Sequence, residues 1–336
     1  MDRYTQQRSC FQNRRFFKVV CGAGNEDPDE VYRLSQVYTL AGALGIDVSA
    51  NVEVVQASRR GIQRAFELAP SLNIQLETEP FITVSVGLKG DPHVRKARIL
   101  EDNCTACGDC FEHCEQQAVG SDPYRVIDRR CIGCGKCETV CEYNAVEYYT
   151  RKVDFDRVLP ACLEAGAENF ELHAIIADDE KVLRDWRILN RILPDNFISM
   201  CLDRSHLSNN HLLSRIAAAR ELTGERLIIQ ADGAPMSGGS DNFNTTLQAI
   251  AIADIIQKSG LDVTILLSGG TNGQTGELAR LCGIPAHGVS IGTFARNLVR
   301  VEIEAADFDN DLTVLSAAVQ KGRRLVDATL DPLQEV

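Results

Sequence analysis

Eight of the chain's 13 cysteines fall into two arrays of one spacing, C-x2-C-x2-C-x3-C: Cys104, Cys107, Cys110 and Cys114, then Cys131, Cys134, Cys137 and Cys141. Thiolates are soft ligands, and three of them spaced this closely can wrap a cubane iron–sulfur cluster within a single loop. In paired arrays the fourth cysteine of each run serves the other cluster. The spacing therefore predicts two [4Fe–4S] clusters. One takes Cys104, Cys107, Cys110 and Cys141; the other takes Cys131, Cys134, Cys137 and Cys114. Disulfides would need an oxidising compartment, and the start of the sequence does not resemble a signal peptide. A structural zinc site draws four ligands from two pairs rather than from two runs of four.

The arrays are also an internal repeat. CTACGDCFEHCEQQAV at 104–119 aligns with CIGCGKCETVCEYNAV at 131–146, and β-prone runs at 97–100, 124–128 and 146–149 flank them. This stretch, 96–150, resembles the bacterial two-cluster ferredoxin domain. That family usually carries proline after the fourth cysteine, where this chain has Glu115 and Glu142. A carboxylate beside a cluster favours the less negative, oxidised state and lowers the potential, unless it points into solvent.

Length and charge bound the rest. At 336 residues, 44% of them hydrophobic, the chain has material for one large or two ordinary domains, and its net charge of −12 argues against a nucleic-acid or anionic-membrane footprint. No apolar run reaches the length of a membrane span. Residues 1–15, MDRYTQQRSCFQNRR, read as a flexible arm and 326–336 as a tail. The cytoplasm is the expected compartment, or the plastid stroma in a plastid lineage.

Outside the insert, strand-like and helix-like runs alternate. Strands are expected at 16–21, 46–50, 81–87, 169–175, 197–203, 226–232, 263–268 and 288–291, many of them near-continuous apolar runs. Helical patterns lie between them at 29–44, 54–68, 155–165, 180–193, 209–223, 243–259 and 274–282, with a last one at 313–322. Eight such units predict an α/β fold, a (β/α)8 TIM-like barrel split into 16–95 and 151–325, with an open doubly wound sheet as the alternative. The ferredoxin-like α+β insert leaves after the third strand and returns before the third helix. It is therefore a βα loop, on the face where barrels build their sites.

The ends of strands seven and eight read SGGTNGQTGE (268–277) and HGVSIGTFAR (287–296). Glycines let backbone approach an anion, and loops after these two strands often bind phosphate in barrels. Gly269, Gly270, Gly273, Gly292 and Thr293 are expected around a phosphate, with Arg296 as counter-charge; tight turns without a ligand are the plainer reading. The segment resembles FMN-binding barrels, which implies FMN or another phosphate-bearing ligand. Polar residues at strand ends, Lys89, Glu171, His173, Asp203, Gln230 and Asp232, are candidates for ligand contact or proton transfer. His173 leads by residue type. Lys89 would face a flavin ring, a cluster or solvent, and Asp203 and Asp232 could instead cap helices. The loop 231–242 reads as a lid or a loose tip. Cys21 is the free thiol to test for reactivity, while Cys162, Cys201 and Cys282 read as packing residues.

The run FFKVVCGAGNEDPDEVYRLSQVYTLAGALGIDVSAN (16–51), VSVGLKGDPHVRKARI (84–99) and the double array together resemble the light-dependent period family of cyanobacteria and plastid lineages, over about 16–300. The resemblance implies an iron–sulfur protein that passes redox state to the circadian clock, with clock-associated protein partners. It supplies no catalytic residue. The competing reading is an FMN-dependent oxidoreductase whose electrons pass between the insert and a flavin in the barrel mouth. A third is an electron wire to a redox partner protein on an empty scaffold.

Overall fold

The computed structural model describes residues 1–87, 95–150, 153–233 and 243–336. In chain order the strands are β1 (Phe16–Val20), β2 (Gly45–Ser49), β3 (Phe81–Gly87), β4 (Arg95–Ile99), β5 (Val119–Ser121), β6 (Tyr124–Val126), β7 (Val146–Thr150), β8 (Asn169–His173), β9 (Ile198–Leu202), β10 (Leu227–Asp232), β11 (Thr264–Ser268) and β12 (Gly288–Ile291). Eight of them close a parallel barrel in the order β1-β2-β3-β8-β9-β10-β11-β12, and β12 pairs back onto β1. The alternative open sheet is thereby excluded. All eight barrel strands lie within two residues of their expected limits.

Helices form between strands where the sequence supplies both an apolar face and a start signal. Asp27 caps Pro28–Ala41 by accepting from the Asp29 and Glu30 amides, with Pro28 in the first turn. Asn51, Ser208 and Asp311 cap Val52–Leu68, Asn209–Thr223 and Leu312–Leu330 in the same way. Outward-facing residues such as Phe17, Val19, Ile46, Val48, Phe170, Leu172 and Met200 pack under these helices in the main core.

The inward-facing positions differ from expectation. Strand residues alternate between faces, so the even positions of β1 point opposite to Phe17 and Val19. The lower inward layer is apolar, with Phe16, Phe81, Phe197, Ile228 and Leu266 in one cluster. Above it the buried inward residues are polar, among them Lys18, Asp47, Ser85, Glu171, Ser199 and Gln230. The strands are thus apolar outside and at the floor, not throughout.

Two terminal segments are ordered where looseness was expected. Residues 1–15 hold a helix, Arg3–Gln12, capped by Asp2. It closes the bottom of the barrel: Phe11 is buried against Phe16 and Phe197, with ring centroids 4.4 and 5.1 Å away. Tyr4 stacks on Phe197, and Arg3 lies over the Phe81 ring while gripping both oxygens of Glu168 at 2.6 and 2.7 Å. A polar sequence dotted with aromatics at helical spacing docks because those rings complete the floor. At the other end the last helix runs to Leu330 and Leu333 is fully buried, so 326–336 packs as well.

Candidate functional site

The insert connects two neighbouring barrel strands, β3 and β8, whose register pairs Gly87 with His173. Within it β4 pairs antiparallel with β7, and β5 with β6. The sequence repeat is also a backbone repeat. Left-handed φ occurs at Ala106 (57°) and Gly133 (67°), at Gly108 (92°) and Gly135 (93°), and at Gln117 (48°) and Asn144 (51°). Each pair is separated by the same interval as Cys104 and Cys131. These turns fold each loop back so that its thiols converge, and they require glycine most where φ exceeds 90°.

Two hollows result. Cys104, Cys107, Cys110 and Cys141 line one, with Ile99, Tyr124 and Tyr143. Cys114, Cys131, Cys134 and Cys137 line the other, with Ala97, Val126 and Tyr148. The fold brings together the crossed sets, one distant cysteine with each local three. Backbone amides face the sulfurs: Ala97 to Cys131 at 3.3 Å, Ala118 to Cys114 at 3.2 Å and Ala145 to Cys141 at 3.4 Å. The Tyr148 hydroxyl is 3.5 Å from the Cys137 sulfur. Four convergent thiols in an apolar hollow, with N–H groups aimed at sulfur, suit a [4Fe–4S] cubane in each. Glu115 and Glu142 are exposed, and Glu115 forms an ion pair with Lys136, which offsets its field.

The second hollow is tied to the barrel. Lys96, buried on β4 beside Ala97, donates to the carbonyls of Gly24, Asp128 and Cys131, the last two at 2.7 and 2.9 Å. It also lies 3.4 Å from Glu26. The Glu26 amide donates to Arg129 O at 2.6 Å, and Arg130 pairs with Asp27 at 2.9 Å. The loop after β1 therefore rests on the Cys131 loop.

A second constellation occupies the barrel interior. Glu171 on β8 is its hub: Oε2 accepts from Lys18 and, at 2.9 Å, from Ser199, while Oε1 accepts from the Cys201 thiol at 3.0 Å. His173 Nε2 is 3.8 Å from the same Oε1, and Gln230 Nε2 approaches Cys201 at 3.5 Å. Burial works against a charge on Glu171, but Lys18 and then His173 outweigh it and hold the carboxyl below its ordinary range. Burial, and then the charge of Glu171, push Asp47 the other way, well above that range; Ser85 donates to Asp47. Burial followed by Glu171 also raises the Cys201 thiol well above normal.

Comparison with known proteins follows the same division. The model of the light dependent period A C-terminal domain matches residues 162–328, and that of the 4Fe-4S binding domain matches 124–147. Light dependent period A of Synechococcus elongatus is 30% identical over 269 residues, covering 79% of this chain and 73% of that protein. The chain belongs to the light-dependent period A family. It carries a 4Fe–4S binding domain, which spans Cys131, Cys134, Cys137 and Cys141. Among solved structures, the tryptophan synthase alpha subunit of Legionella pneumophila overlaps 98% of both chains at 13% identity and a TM-score of 0.49. The YdjI aldolase of Escherichia coli overlaps 98% of this chain and 94% of its own at 9% identity and 0.45.

In this light-dependent period A family member the residues expected around a phosphate lie on two adjacent strand ends, after β11 and β12. Gly269 and Gly270 adopt left-handed φ of 62° and 71°. A Cβ at Gly269 would stand 2.7 Å from the Gly233 nitrogen, so close packing of the β10 and β11 ends already calls for glycine there. Gly292 and Thr293 follow β12, and Gly273 follows β11, on the neighbouring strand. Arg296 is buried and turns toward β1, donating to Cys21 O at 2.6 Å, Val20 O at 3.2 Å and Thr293 Oγ1 at 3.3 Å. It also lies against the turn at Gly22, where a Cβ would stand 2.9 Å from its Nη1.

Of the strand-end candidates, His173 and Asp232 lie at the ends of β8 and β10, while Asp203 accepts from the Ser205 amide at 2.9 Å and shapes a turn. Lys89 lies outside the described residues, as do 234–242 of the loop that begins at Ala231. Cys21 is fully buried, and burial pushes its thiol up, away from the thiolate form that reacts. Cys282 is exposed and Cys162 is buried. Sequence reading missed Lys18, Asp47 and Ser199; Cys201, read as a packing residue, is buried and also donates to Glu171. The available signal was polar residues recurring at every second position of otherwise apolar strands. No helix among the described residues is long and apolar enough to cross a membrane.

Proposed function

We propose that this chain is an iron–sulfur redox sensor that reports cellular redox state to clock-associated protein partners. It would hold two [4Fe–4S] clusters, one on Cys104, Cys107, Cys110 and Cys141 and one on Cys114, Cys131, Cys134 and Cys137. The observation that carries the reading is the pair of four-thiol hollows set in an insert locked to the barrel through Lys96. A bound cluster supplies a centre that takes up or releases one electron. The chain's own groups do the rest. The Ala97, Ala118 and Ala145 amides favour the more negative state of the sulfurs they face. Cys107 and Cys134 are exposed, and Phe111 and Tyr143 stand out beside the first hollow, an apolar contact for a redox partner. Lys96 joins the Cys131 loop to the loop after β1, so a charge change at the second hollow bears on barrel backbone. The relative's name, light dependent period A, supports partners of the clock type.

The test is anaerobic purification with iron counting, followed by capture of clock proteins at oxidising and reducing poise. About eight irons per chain, and partner binding that changes with poise, are expected. Binding indifferent to poise, or a Cys107→Ser/Cys134→Ser double variant that keeps the redox response, defeats the reading.

A flavin-linked oxidoreductase is the second reading, favoured by a polar barrel interior that includes Glu171 and His173 on β8, the strand paired with β3 from which the insert departs. Acid release of a yellow chromophore would support it, and protein that neither contains nor binds FMN would end it.

A further inference from the structure

We propose that Glu171, His173 and Cys201 form a zinc site in the barrel mouth, separate from the two cysteine hollows. Their carboxylate oxygen, imidazole nitrogen and thiol sulfur all lie within 4.8 Å of one another. Two ligands sharing a zinc at bond lengths of roughly 2.0–2.3 Å stand about 3.5 Å apart. The separations, 3.0 Å between Cys201 and Glu171 and 3.8 Å between His173 and Glu171, bracket that value. Three protein ligands of mixed N, O and S type are the pattern of zinc sites that bind a further small ligand. The sulfur selects against magnesium and calcium.

The outer shell is built for it. Lys18 and Ser199 both hold Glu171 through Oε2, which leaves Oε1 as the oxygen turned toward Cys201 and His173. Gln230 presents its Nε2 to the Cys201 sulfur, a donor suited to a thiolate, while its Oε1 is buried without a partner among the described residues. Such groups fix ligand orientation around a bound metal. His173 retains 8% exposure, so the site meets solvent at the mouth. On binding, the Cys201 S–H bond breaks, a sulfur–zinc bond forms and the proton passes to water; no electron moves.

The test uses the whole chain, purified anaerobically with its iron in place and then equilibrated with zinc alone. One zinc per chain beyond the iron is expected, and its X-ray absorption edge should report one sulfur among light-atom ligands. Cys201→Ser and His173→Asn should each weaken zinc binding by more than about a hundredfold, the upper end of what losing even an outer-shell partner costs. Iron content and the thermal midpoint of those variants show whether they fold. Absence of zinc uptake, a four-sulfur environment from captured array cysteines, or undiminished uptake in both folded variants would overturn the proposal.

Discussion

Lys96 Nζ lies 2.9 Å from the carbonyl oxygen of Cys131 and donates as well to that of Gly24. One buried ammonium group thus joins a cysteine loop of the insert to the first βα loop of the barrel. A cation in this position favours added negative charge in the second hollow.

Lys96→Met should therefore lower the reduction potential of that centre. A unit charge acting across several ångströms at an effective dielectric of about 20 contributes on the order of 1–3 kcal/mol. Potentiometric titration followed by electron paramagnetic resonance checks the shift, which should leave iron content intact. An unchanged potential would mean that Lys96 is a mechanical tie alone.

Breaking the Lys18–Glu171 pair should be costly. Lys18→Met or Glu171→Gln alone leaves a buried charge without its nearest opposite charge, a loss approaching about 3–5 kcal/mol. The double variant should recover much of it, and anaerobic urea unfolding of the four proteins measures the coupling.

The pH dependence of stability should have a component from Asp47. Its folded-state carboxyl titrates above the ordinary range because of burial and Glu171. Between those two values the folded chain keeps a proton that the unfolded chain has released, so stability falls as pH rises through that window. Asp47→Asn should flatten the slope. Glu171 has the opposite sign: held below its ordinary range, it contributes stability that is lost as pH falls. Unfolding midpoints across pH, with and without Asp47→Asn, separate the two.

Phe11→Ala should destabilise the barrel by about 3–5 kcal/mol, the usual loss for truncating a buried phenylalanine. Its ring packs on Phe16 and Phe197 at the floor. Deleting residues 1–15 should do at least as much. Were the segment a loose arm, both changes would leave the urea midpoint in place.

What sequence reading could not see came from distant partners. The segment holding Phe11 is polar by composition, and its docking depends on Phe81 and Phe197 presenting rings at the barrel floor. Cys201 looks like any buried cysteine in strand β9 until β8 sets Glu171 beside it. Arg296 follows a glycine turn in sequence, yet its guanidinium is taken up by the carbonyls of Val20 and Cys21 from the opposite end of the chain.

The sequence by itself determined what local spacing controls. Cysteines three and four positions apart converge when the residues between them turn left-handed, and apolar runs alternating with capped helical patterns build strands and helices in that order. Only the tertiary structure decided which side chains meet. Lys18 and Glu171 are 153 positions apart, and no local pattern records that pairing. Barrel closure sets it by fixing the register of β1, β8 and β9, which turns their polar alternates onto a common interior.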